Sequence, residues 1–75
     1  LFTRITVLKN NIREERQKKQ LTQAQLADVV GVSRQTIISI EVSKYVPSVL
    51  LSLKLANALD IKVEALFLLE ETDWS

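Results

Sequence analysis

Residues 22–41, Thr-Gln-Ala-Gln-Leu-Ala-Asp-Val-Val-Gly-Val-Ser-Arg-Gln-Thr-Ile-Ile-Ser-Ile-Glu, decide the fold. Thr22 and Gln25 have the spacing of a capping box, in which each side chain satisfies a free backbone N–H at a helix start. Leu26, Ala27 and Val30 then recur at helical spacing and give that helix one apolar face. Gly31, the only glycine in the chain, follows where a left-handed residue ends a helix. Ser33 is a good N-cap for the next helix, whose inward face is Ile37 and Ile40. Arg34, Gln35, Thr36 and Ser39 are left on or near its outward face. Two short helices around a glycine, with Arg and Gln opening the second, form a helix-turn-helix pattern.

Upstream, a first helix is expected from Asn10 or Asn11 to about Lys19. An Asn serves as N-cap, Glu14 and Glu15 suit the first turn, and Lys18 and Lys19 suit the last. Ile12 is its clear core residue, flanked in sequence by Leu8 and Leu21. Arg16, four residues after Ile12, shares the buried edge. An arginine there requires an acidic partner, since an unpaired buried charge costs several kcal/mol. Residues 1–8 are β-prone with imperfect alternation. They read equally as a strand, as a flexible arm or as sequence upstream of the natural start.

Downstream, Pro47 disfavours helix at Val46 and Ser48 is an N-cap. A fourth helix runs from Val49 to about Leu59. Being apolar nearly all round, it reads as the central and most buried helix, with Leu50 surplus to a single stripe. A last helix covers Val63 to about Leu68, with Leu66 and Phe67 inward. Residues 70–75 form an acidic tail. Short linkers imply a compact all-α bundle, divided as an arm (1–8), a helical domain (9–69) and the tail (70–75).

Seventy-five residues with 47% hydrophobic content suit one small domain. A single Gly and a single Pro argue against an all-β fold. Cys and His are absent, which removes thiolate chemistry and the commonest general base and metal ligand. No convergent catalytic set, phosphate-cradling glycine loop or metal-ligand cluster is present, so an enzyme, a cofactor and a metal are not expected. A cysteine-free chain fits a reducing cytoplasm. No apolar run reaches the roughly 18 residues of a membrane span. Net charge is only +1, but residues 1–20 hold six basic against two acidic side chains, and residues 48–75 hold two against five. This split reads either as one basic face with another turned away from a polyanion, or simply as solvated helix surface. Arg13, Lys18 and Lys19 read most simply as solvated basic surface.

In order and spacing, Leu21-Thr-Gln-Ala-Gln-Leu-Ala27, Gly31-Val-Ser-Arg-Gln-Thr-Ile37, Ile40-Glu41, Lys44-Tyr45, Pro47-Ser48, Leu53-Lys-Leu-Ala56, Ala58-Leu59 and Leu66-Phe67 resemble the Cro/cI-type (XRE) family of small phage and prokaryotic transcriptional regulators. The resemblance covers residues 9 to 69. It implies a five-helix bundle of the lambda-repressor-like type whose third helix enters the DNA major groove. It further implies that Gln23, Thr36, Lys44 and Tyr45 contact phosphate, and that Arg34, Gln35 and Ser39 read base edges. Arg16 is expected to pair with Glu41, tying the first helix to the third. The chain departs from the family pattern at Gln20, Ser43 and Asp60, where glycines are common. It departs again at Val42 for an asparagine, at Glu15 for a core leucine, and at Ile38 and Leu50 for polar residues.

The resemblance therefore implies a cytoplasmic DNA-binding regulator, a repressor acting as a homodimer on a near-palindromic operator. Leu50, Leu68, Leu69 and Trp74 exceed what a monomer needs and are candidates for the dimer interface. The alternative is an antitoxin-like module whose extra apolar surface covers a protein toxin. The N-terminal arm folding back on the tail would also cover some of that surface.

Overall fold

The computed structural model describes residues 8–74, leaving aside the side chain of Thr72. The expectation of a strand or arm over residues 1–7 lies outside the described residues. Strand β1 (Lys9–Asn10) is followed by α1 (Ile12–Lys18), α2 (Gln23–Val30), α3 (Arg34–Glu41), α4 (Val49–Ala58) and α5 (Val63–Leu66). Strand β2 (Phe67–Leu68) and a 3-10 turn (Glu71–Trp74) close the chain. β1 and β2 pair antiparallel, Lys9 opposite Leu68 and Asn10 opposite Phe67. The five helices enclose one core of Ile12, Leu26, Ala27, Val30, Ile37, Ile40, Leu51, Leu55, Ala56, Leu59 and Leu66.

Three helix starts follow their sequence signals. Thr22 Oγ1 accepts from Gln25 N–H at 3.0 Å, and Gln25 Oε1 accepts from Thr22 N–H at 2.8 Å, so the capping box of α2 is complete. Ser33 and Ser48 cap α3 and α4 by accepting from Thr36 and Leu51 N–H. The start of α1 differs from expectation. Asn11 holds the N-cap position without capping. Its side-chain amide donates to Ala65 O, and the adjacent Asn10 accepts from Ile12 N–H. The first helix is fastened to the last at the expense of an ordinary cap.

The four longer helices close in one way. Gln20, Gly31, Ser43 and Asp60 all have positive φ, at 58°, 77°, 62° and 54°. The next residue in each case, Leu21, Val32, Lys44 or Ile61, donates its N–H back to Arg16, Ala27, Ser39 or Ala56 O at 2.8–3.1 Å. This backbone ring needs a left-handed residue at its corner and commonly an apolar residue just after it. Leu21, Val32 and Ile61 meet the second condition and pack on the core. Lys44 does not; it is exposed.

Two expectations are corrected. α4 is not the central, most buried helix. It buries Leu51, Leu55 and Ala56, while Val49, Leu50 and Leu53 are exposed. Five short helices form a single layer around the core, so α4 has neighbours on one face only. The last helix does not reach Leu68 but ends at Leu66. Phe67 is extended (φ −112°, ψ 133°), because its backbone pairs with β1 instead of continuing the helix. The chain thus adds one short two-stranded ladder to an otherwise helical fold.

The shared closure makes a stability prediction. A non-glycine residue in the left-handed region costs about 1–2 kcal/mol, against about 0.5–1 kcal/mol for glycine's extra chain entropy. Gln20→Gly is expected to raise unfolding free energy by about 0.5–1 kcal/mol. Asp60→Gly is expected to gain less, since Asp tolerates this conformation better. An added Cβ at Gly31 meets nothing within 4 Å, so Gly31→Ala is expected to lose about 1 kcal/mol from backbone strain alone. Urea midpoints at unchanged m-value measure all three.

Candidate nucleic-acid interface

α3 is held from one side. Ile37 and Ile40 are 0% and 1% exposed and fix both the depth and the rotation of the helix. Gln35 and Ser39 lie about a half-turn away and Arg34 and Thr36 on the two flanks: Arg34 and Gln35 are exposed, and Thr36 and Ser39 are half-buried. Gln35 Nε2 donates to Ser39 Oγ at 3.4 Å, one turn along the same face. The Thr36 hydroxyl lies 2.9 Å from Ser33 Oγ, joined to the cap of its own helix. Ser33, Gln35, Thr36, Ser39 and Tyr45 line a shallow concavity of about 240 Å³. Among the described residues, no carboxylate lies in ion-pair range of Arg34.

A second, wider cleft of about 630 Å³ lies where α1, α2 and α3 meet, lined by Arg13, Gln17, Gln23 and Arg34 among others. At its floor the Arg16 and Glu41 side chains are 10% and 4% exposed. Arg16 Nε donates to Glu41 Oε2 at 2.7 Å, and Nη2 donates to Oε1 at 3.3 Å. Arg16 Nη1 donates to Leu21 O at 2.8 Å, across the turn into α2. Gln23 Nε2 donates to Glu41 Oε1 at 3.1 Å. One carboxylate therefore collects α1, α3 and the first residue of α2. Both of its oxygens accept, so its burial is compensated.

The residues singled out from sequence fall into separate groups. Gln35, Thr36, Ser39 and Tyr45 share the shallow concavity, and Gln23 and Arg34 share the wide cleft. Lys44 lines neither and stands exposed in the loop after α3. Gln23, read as free to meet phosphate, spends one amide hydrogen on Glu41 and keeps the other. Leu50, Leu69 and Trp74 are 65%, 66% and 76% exposed, but Leu50 is on α4, Leu68 in β2, and Leu69 and Trp74 in the C-terminal segment. Arg13, read as solvated surface, and Gln17, not singled out from sequence, line the wide cleft. Their four-residue spacing, one step after Ile12 and Arg16, was the available signal. It places them on the edge of α1 beside the buried one.

A family model described as helix-turn-helix matches residues 12–66. The chain belongs to the helix-turn-helix family. An uncharacterised helix-turn-helix-type transcriptional regulator, YgzD of Bacillus subtilis, is 45% identical over 64 residues, which is 85% of this chain and 97% of that protein. One from Methanocaldococcus jannaschii is 44% identical over 66 residues, 88% of this chain and 100% of the relative. The crystal structure of C.AhdI, a restriction-modification controller protein from Aeromonas hydrophila, is similar at a TM-score of 0.69 and 36% identity. That match covers 73% of this chain and 83% of the controller. This helix-turn-helix protein is of the Cro/cI (XRE) type, a DNA-binding transcriptional regulator type and not an enzyme family. Among its described residues, no helix is long and apolar enough to cross a membrane.

The buried cluster is testable apart from DNA. Arg16→Lys keeps the charge but cannot reach Glu41 and Leu21 O with a planar fork. It is expected to cost about 2 kcal/mol. Arg16→Ala strands the Glu41 carboxylate and is expected to cost about 3 kcal/mol or more. Arg16→Met with Glu41→Leu is expected to recover most of that loss, because no buried charge remains. Urea unfolding of the three variants checks the order.

Proposed function

We propose that this helix-turn-helix protein is a cytoplasmic, sequence-specific repressor that binds a near-palindromic operator as a homodimer, with α3 in the major groove. The observation that carries this reading is the mounting of α3. Two buried isoleucines set its rotation, its opposite side presents Gln35 and Ser39, and its flank offers Arg34, which has no carboxylate partner among the described residues. Arg34 is assigned to a guanine edge, where its fork meets O6 and N7. Gln35 is assigned to adenine. With one amide hydrogen on Ser39, it still presents Oε1 and a second N–H, the pair that adenine N6 and N7 require. Ser39 reads a base edge directly or through Gln35.

Gln23, Thr36, Lys44 and Tyr45 are assigned to phosphate. The first N–H groups of α2 have no partner within the helix, and the helix dipole favours an anion there. Gln23 stands at that end with its remaining amide hydrogen. Lys44 supplies a full charge from the loop after α3. One protomer makes few contacts, so its binding would be weak and salt-dependent. Two-fold pairing sets two recognition helices about one turn of DNA apart. The similar C.AhdI is named as a controller protein, which supports a regulatory role for this fold.

Two kinds of variant separate base reading from phosphate contact. Arg34→Ala and Gln35→Ala are each expected to lose about 1–3 kcal/mol on the best site and to relax preference at one base pair. Lys44→Ala is expected to weaken all sequences alike and to lower the slope of log K against log salt by about 1 per protomer. Band shifts at several salt concentrations, on sites obtained by in-vitro selection, measure both. If Arg34→Ala and Gln35→Ala bind every sequence as the parent does, the base-reading assignment fails.

A further inference from the structure

α4 has a face that the fold leaves uncovered. Away from its buried Leu51 and Leu55 it carries Val49, Leu50 and Leu53, which are 77%, 65% and 53% exposed. By helix geometry the three lie within about 100° of one another around the axis. Val46, also exposed, comes just before them in the chain. From Tyr45 to Leu53 there is no charged residue, and Lys44 and Lys54 bound the stretch.

We propose that this face is the docking surface for a second copy of the chain, α4 against α4 about a two-fold axis. The inference rests on the dimeric reading above and names its interface. Three features point to a second copy. In a two-fold contact each residue near the axis meets its own counterpart, so a charge there would face its like. Tyr45 to Leu53 has none. The exposed apolar side chains offer roughly 400 Å² per copy, close to the apolar share of the about 800 Å² per partner in a standard interface. Residues 42–48 lead from the end of α3 to the start of α4, so an axis at the first turns of α4 sets both α3 helices beside it.

Charge also separates this face from the other candidate. Leu68, Leu69 and Trp74 are interspersed with Glu70, Glu71 and Asp73; Lys9 pairs with Glu70 at 3.5 Å, but a two-fold contact there would still bring Glu71 and Asp73 near their counterparts. The interface therefore keeps Leu50, adds Val49 and Leu53, and leaves out Leu68, Leu69 and Trp74.

Sedimentation equilibrium of the full chain tests the proposal, with circular dichroism to confirm folding. The parent is expected to be a dimer, Leu50→Glu and Leu53→Glu monomers, and Leu69→Glu still a dimer. These α4 variants are expected to bind an isolated half-site as the parent does. Their affinity for a site with two half-sites should fall on the order of 100-fold, the loss of linked binding. Folded α4 variants that stay dimeric would overturn this surface and leave the dimeric reading intact. A parent that is monomeric both free and on paired half-sites would overturn the dimeric reading and this surface with it, and would leave the base contacts of α3 standing.

Discussion

The buried Arg16–Glu41 pair is the contact on which the arrangement of the first three helices depends. Arg16 holds the turn into α2 twice, with Nη1 on Leu21 O and with its own carbonyl accepting the Leu21 N–H. Glu41, the last residue of α3, takes the rest of the guanidinium and the Gln23 amide. An apolar pair of similar volume could give as much stability, but would not fix direction. Hydrogen bonds constrain angle as well as distance. Here they determine where the start of α2 stands relative to the end of α3. Those two helices carry Gln23 on one side and Arg34, Gln35 and Ser39 on the other.

Much of this was legible in the sequence because it is local. The capping box at Thr22, the serine caps at Ser33 and Ser48 and the left-handed Gly31 each depend on residues a few positions apart. Rows of apolar residues at helical spacing located the core of α2 and α3. The C-terminal limit of the last helix was not legible, because it depends on pairing with Lys9–Asn10 across the length of the chain. Nothing in Phe67-Leu68 itself opposes a helix. The role of α4 was misjudged for a related reason. Apolar content measures what a helix can bury, not how many neighbours it has, and Val49, Leu50 and Leu53 are left mostly exposed.

The candidate site was legible to a different degree. The rotation of α3 follows from Ile37 and Ile40, so the outward placement of Gln35 and Ser39, with Arg34 on the flank, was already implied. The couplings were not. That Ser39 accepts from Gln35, and that Glu41 accepts from Gln23, depend on rotamers that spacing does not determine. These couplings matter for reading DNA because a long glutamine side chain loses rotamer freedom on binding. A partner that holds it in place, as Ser39 does at 3.4 Å for Gln35, reduces that loss in part. Arg34 has no such partner among the described residues, so the base contact proposed for it would carry the whole of that loss.

The four helix closures show where local rules give way. In three, the residue after the left-handed corner is Leu21, Val32 or Ile61, packed on the core. In the fourth it is Lys44. An apolar side chain there would draw the loop down onto the bundle, as it does at the other three. A lysine closes the same backbone ring and leaves the loop standing out. It also sets a cation just past the C-terminal end of α3, where the helix dipole favours one. Ser43 holds the left-handed corner without being glycine, and its hydroxyl donates to Leu8 O, joining the loop to the chain before β1. The loop is therefore tied at its base and free at its tip. The departure from the closure rule thus falls at the residue proposed to meet phosphate, between the recognition helix and the uncovered face of α4. Local folding rules give way most often at functional sites, which is where the phosphate contact proposed for Lys44 would place this exception.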